Sequence, residues 1–134
     1  MDKVQALFEA ASAVRRHAYA PYSGFAVGAA LLTPSGAIFS GANVENAAYP
    51  TGICAEAGAI SAMIASGERQ IAEMLVLGDG AALTTPCGAC RQRIREFAGP
   101  DAKIHVAGPS GLKATFTLGA LLPEAFGPDN LQGN

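Results

Sequence analysis

Three cysteines and one glutamate carry most of the chemistry open to this sequence: Cys54, Cys87, Cys90 and Glu56. Cys87 and Cys90 form a C-x-x-C, a spacing that puts both sulfurs on one side of the first turn of a helix and makes half of a zinc site. Taken alone, the pair fits a redox or structural role as well as a metal, and any single cysteine also reads as a small buried hydrophobe. Cys54 supplies a third ligand if two helices start side by side, and the sequence holds no fourth cysteine to close a tetrahedron. Zinc with three protein ligands and an open position is the catalytic pattern, whereas structural sites normally use four. Thiolates also accept other soft metals. His17 and His105 are candidate fourth ligands, but one falls on a helix face and the other in a strand, where histidines are more often surface or core residues.

Glu56 changes the balance between these readings. In mid-helix, residues two apart do not face each other, but in the first turn both Cys54 and Glu56 can approach a metal lying beyond the N-terminus. A carboxylate there can accept a proton from an activated water. Its structural alternative is a first-turn acid complementing the helix dipole, worth about 0.3–1 kcal/mol.

These residues need elements to hold them. Val4, Leu7, Phe8, Ala11, Val14 and Ala18 recur at helical spacing and predict an amphipathic helix from near the start to about Tyr19, ended by Pro21, with Arg15, Arg16 and His17 on its solvated face. Phe25 to Thr33 and Ala37 to Ala42 flank Pro34-Ser35-Gly36 and read as a hairpin. Asn43 to Ile53 is polar and turn-forming without periodicity. Cys54 to about Ser66 is an alanine-rich helix capped by Gly67, and Met74 to Leu77 is a short buried strand. Pro86 suits the first position of a second helix running to about Phe97. Lys103 to Ala107 and Lys113 to Thr117 form another hairpin, Leu118 to Leu122 a short helix stopped by Pro123, and 128–134 a loosely ordered tail. The alternation of strands and helices predicts an α/β fold, three layers in α/β/α order with a mixed sheet of about five strands. Both central helices begin with cysteine, and ligands in such sheets gather at one end of the strands, where helix N-termini point.

Composition narrows the partners. The 134 residues are about the size of one domain, and half are hydrophobic against 15% charged, a surplus of apolar side chains that suggests self-association. No apolar run approaches the roughly 20 residues that span a bilayer, and Met1-Asp2-Lys3 does not open a signal peptide, so the expected location is the cytoplasm. An odd cysteine count excludes a full disulfide framework, and a reducing compartment keeps all three as thiols. A formal charge of -2 gives no general reason to bind nucleic acid, and basic residues are scattered apart from Arg91, Arg93 and Arg95. A small neutral ligand fits better than a polyanion.

Cys54-Ala55-Glu56 followed by Pro86-Cys87-Gly88-Ala89-Cys90 resembles the signature of the zinc-dependent deaminases. More narrowly, the chain resembles the small cytidine deaminases in which cysteine replaces histidine as first ligand. Supporting stretches are 21–25, Val27-Gly28-Ala29-Ala30, Gly41 through Tyr49, Thr85 through Gln92 and Ala125-Phe126-Gly127-Pro128, in the family's order over nearly the whole chain. The resemblance implies one Zn²⁺ on Cys54, Cys87 and Cys90, and Glu56 as the group that moves protons while cytidine or 2'-deoxycytidine is hydrolysed to the uridine-type product and ammonia. It implies that Asn43 and Glu45 bind the sugar hydroxyls, that Phe25 packs on the base beside Ala55, and that Tyr49 and Phe126 reach a neighbour's pocket in a homotetramer. Other readings are a deaminase of another aminopyrimidine nucleoside and a non-catalytic zinc-stabilised binding protein. One departure from the resemblance bears on the metal: the related enzymes often carry, after the catalytic Glu, an Arg that donates to the thiolates, and here that residue is Ala57. Three thiolates on Zn²⁺ leave a net charge of about -1, for which helix N-termini, Gln92 or Arg91 are the expected compensation.

Overall fold

The computed structural model describes residues 2–132. Its order is α1 (Lys3–Arg15), β1 (Val27–Leu32), β2 (Ile38–Ala42), α2 (Ala55–Ala65), β3 (Glu73–Gly78), α3 (Gly88–Phe97), β4 (Lys103–Gly108), β5 (Gly111–Thr117) and α4 (Leu118–Leu121). The five strands form one sheet in the order β2-β1-β3-β4-β5. Only β3 and β4 pair in parallel, joined through α3, and the other neighbours are antiparallel. The sheet is therefore mixed, as expected.

Alternation along the strands builds a core on each face. Leu31, Met74, Val76 and Ile104 bury themselves with Ala59, Ile60 and Met63 of α2 and Ile94 of α3. Ala30, Leu32, Leu75, Leu77 and Ala107 point the other way, onto Leu7 and Ala11 of α1. Three layers result.

The first helix stops earlier than its periodicity predicts. It is capped at its start by Asp2, which accepts from the Val4 and Gln5 amides, and ends at Arg15. Tyr19 lies outside it because its backbone pairs elsewhere: its N–H donates to the Asn43 carbonyl at 3.0 Å and its carbonyl accepts from the Glu45 N–H at 2.8 Å. A non-local pairing, not Pro21, sets this boundary. The second helix starts where predicted, with Cys54 as N-cap, and Gly67 takes the positive φ of 97° expected of a helix-ending glycine. Pro86 does not open α3: Cys87 is extended and caps the helix, so Pro86 precedes the cap. At the end, Pro128–Asn130 form a 3₁₀ turn within the segment expected to be loose, and the last two residues of that segment lie outside the described residues.

Candidate active site

The segment 43–53, without periodicity in the sequence, is pinned by the fold. Val44 and Ile53 exchange both backbone hydrogen bonds, at 3.0 and 2.9 Å, directly before Cys54. That clamp carries Asn43 and Glu45 to the mouth of the cleft that begins at α2. The cleft measures about 660 Å³, within the range of small-molecule sites. Phe25, Asn43, Glu45, Tyr49, Ala55 and Glu56 all line it, with Cys54 and Cys87 at its inner end.

At that end the sulfurs of Cys54, Cys87 and Cys90 lie within 4.8 Å of one another, and all three are free thiols. Neither histidine joins them. His17 is exposed, and His105 is buried between Glu73, 2.7 Å from Nε2, and Thr115, 2.8 Å from Nδ1. Three soft donors converging at two helix N-termini, with no fourth protein ligand among the described residues, fit a zinc ion that keeps an open coordination position.

The electrostatics differ from sulfur to sulfur. Cys87 is held below the usual thiol range, chiefly by the Cys90 backbone N–H and then by the Ala89 N–H, the free amides of the α3 N-terminus. Burial pushes Cys54 and Cys90 up, and the negative charge of Glu56 adds to the shift in both. Arg93 Nη1 donates to Cys90 Sγ at 3.3 Å. The two expected compensators are committed elsewhere: Arg91 donates to the carbonyls of Pro86 and Leu121 and to Thr85 Oγ1, and Gln92 donates to the Phe126 carbonyl.

Glu56 is only 4% exposed. Burial raises its carboxyl above the ordinary range, opposed by its own backbone N–H and by Arg93. In metal-free protein this has a definite sign. The folded state binds more protons than the unfolded state between the unfolded pKa and the raised folded value, so this carboxyl costs stability as pH rises through that window. Glu56→Gln removes the cost. Calorimetry on chelator-treated proteins is expected to show the variant melting above wild type at pH 8, with the gap closing as pH falls through the ordinary carboxylate range; a gap that is the same at both pH values refutes the assignment.

At the other end, Glu45 is held by a turn whose role the sequence reading missed. Its Oε1 accepts from the Tyr22 and Ser23 backbone N–H groups at 2.9 and 3.1 Å, and its Oε2 from the Ser23 hydroxyl. Ser23 is the leading reason that Glu45 is held below the usual carboxylate range. Asn43 is likewise engaged: Oδ1 accepts from Val27 N–H and Nδ2 donates to the Phe25 carbonyl, both at 2.9 Å. Tyr49 stands at the rim, 75% exposed, its ring 5.9 Å from that of Tyr22. Two residues of the expected set do not line this cleft: Cys90, which is buried behind it, and Phe126, which is 57% exposed.

Comparison with known proteins agrees with this geometry. Residues 1–106 match the family model described as the cytidine and deoxycytidylate deaminase zinc-binding region. A cytidine deaminase of Halalkalibacterium halodurans is 39% identical over 131 residues, 98% of either chain. One of Mycobacterium tuberculosis is 39% identical over 115 residues, 85% of this chain and 82% of its own. The crystal structure of cytidine deaminase from Burkholderia pseudomallei superposes with a TM-score of 0.88 at 44% identity, covering 94% of this chain and all of that one. The corresponding enzyme from Mycobacterium leprae gives 0.77 at 38%, covering 92% and 100%. With its three-cysteine centre, its buried glutamate and this likeness along nearly its whole length, the chain belongs to the cytidine and deoxycytidylate deaminase family.

Proposed function

We propose that this chain is a single catalytic domain that hydrolyses cytidine and 2'-deoxycytidine to uridine and 2'-deoxyuridine, releasing ammonia, in the salvage of pyrimidine nucleosides. The observation that carries the reading is the pairing of three convergent thiols, open on one side, with a buried carboxylate at the inner end of a nucleoside-sized cleft. Zinc on Cys54, Cys87 and Cys90 would supply a Lewis acid that lowers the pKa of water toward neutrality. Glu56 takes the proton that the attacking water gives up and passes it to the ring nitrogen beside the amino-bearing carbon. That carbon gains the hydroxyl. Glu56 then carries a proton to the departing amine, so one carboxyl acts first as base and then as acid.

Counting valences supports the sugar as the outer partner. A carboxylate offers about four lone-pair sites and Glu45 spends three on Tyr22 and Ser23, which leaves one on Oε2. Asn43 retains one N–H on Nδ2 and one lone pair on Oδ1. A ribose hydroxyl pair can use these groups. Phe25 offers an apolar wall to the base. The net charge of -2 favours a free nucleoside over a nucleic-acid strand, which would need basic phosphate contacts.

Exposed apolar side chains support assembly into a homotetramer. Tyr22, Tyr49 and Ile53 are each at least half exposed around the cleft mouth, and Phe126 stands outside its own cleft, free to enter a neighbour's. Among the described residues no helix is long and apolar enough to cross a membrane. A cytoplasmic location would keep the three thiols reduced.

The test is the fall in ultraviolet absorbance when metal-quantified protein meets cytidine, with free cytosine and single-stranded DNA as comparison substrates. Cytidine is expected to react and the others hardly at all. Glu45→Gln removes a charge-assisted bond worth about 1.5–3 kcal/mol and is expected to lower kcat/KM on cytidine by about 10–100-fold, while leaving zinc in place. Equal rates on cytidine and single-stranded DNA would refute the nucleoside reading.

A further inference from the structure

The three sulfurs are not served alike. Cys87, as the N-cap of α3, sits at the free amides of the helix start, and the N–H groups of Cys90 and Ala89 favour its thiolate. Cys90 lies inside the helix, and its position leaves its sulfur to be served by side chains. Ala57, next to Glu56, carries no donor group. Arg93 sits three residues after Cys90, on the same face of α3, and its Nη1 reaches Cys90 Sγ at 3.3 Å. Among the described residues the ion pairs join Arg15 to Asp79, Arg95 to Asp129 and His105 to Glu73. Arg93 is in none of them, so its charge is not claimed by a carboxylate.

We infer that Arg93 is a positioning residue of the metal centre: its guanidinium fixes the Cys90 sulfur in place and offsets the charge of the three thiolates, a task that Ala57 cannot perform. This rests on the zinc-deaminase reading and adds to it the source of the missing positive charge. A donor to a thiolate draws electron density from the sulfur and leaves the metal a stronger acid.

Cobalt-substituted protein reads this directly, because the sulfur-to-cobalt charge-transfer band reports the energy of the sulfur lone pairs. Wild-type protein is expected to show that band and, loaded with zinc, to turn over cytidine; if it does neither, the underlying reading fails and the variants are not needed to show it. Given both, Arg93→Leu is expected to move the band to longer wavelength and to lower kcat about 10–100-fold with KM changed less than about twofold. Arg93→Gln, which keeps a donor without the charge, is expected to fall between. A band and a kcat at wild-type values in the leucine variant would overturn the inference. If that variant does not fold, the glutamine variant decides alone: a displaced band upholds the inference and an unmoved one overturns it.

Discussion

Glu56→Gln is expected to give a folded, zinc-loaded protein that deaminates cytidine at least a thousandfold more slowly than wild type. The amide has the shape of the carboxylate and can still hydrogen-bond, but it cannot take up a proton and release it. General acid–base catalysis by a positioned side chain is worth roughly 10²–10⁴-fold per role, and this residue serves as base toward water and acid toward the leaving amine. Few groups stand ready to replace it, since among the described residues Glu56 is the one carboxylate beside the sulfurs that lines the inner cleft; Glu45 is at the opposite end, engaged by Ser23 and Tyr22. Initial rates from the loss of absorbance, with zinc counted per chain, check the result. A rate within tenfold of wild type at full zinc occupancy would remove Glu56 from the proton path.

The centre of this site was legible in the sequence because metal chemistry constrains residue type and spacing together. Cys54 and Glu56 could be placed on one helix start and Cys87 and Cys90 on another, and the structure brings the three sulfurs together. What the sequence hid was non-local. Tyr19 continues the helical pattern of α1, yet its backbone pairs with the strand-like segment through Asn43 and Glu45, and that segment carries no periodicity because it is held by two isolated bridges. The cradle of Glu45 likewise depends on a turn more than twenty positions away in the chain. Phe126 lies outside the cleft of its own chain, a placement that only a view of the whole surface can give. Arg93 was within reach: its spacing of three from Cys90 on a helix predicts a shared face. In the sequence it stood out only as a member of the basic cluster Arg91, Arg93 and Arg95, while Arg91 and Gln92, the expected donors, turn to carbonyls of Pro86, Leu121 and Phe126.

The second large effect is expected from a residue with no chemistry of its own, Gly41→Ala. Gly41 lies in β2 opposite Ala29, and α2 rests directly on it. A Cβ at this position would stand 2.4 Å from the Ala59 backbone nitrogen, 2.6 Å from the Ala55 carbonyl oxygen and 2.7 Å from the Gly58 carbonyl carbon. All three are backbone atoms of α2, so no rotamer change relieves the contact and the helix must lift by about 1 Å. Overpacking of this kind costs about 1–3 kcal/mol, which corresponds to a fall in Tm of roughly 4–11 °C for a chain of this size. Activity should suffer beyond stability, because the same first turn carries Ala55 and Glu56 and follows Cys54. A displacement of 1 Å at reacting groups costs on the order of 10²-fold, so kcat at a temperature where the variant is fully folded is expected to drop by about that factor. Gly99→Ala serves as control, since a Cβ there meets nothing within 4 Å, and it should match wild type in both measurements. If Gly41→Ala also matched wild type, the close seat of α2 on β2 would not be what aims Glu56 and Cys54 into the cleft.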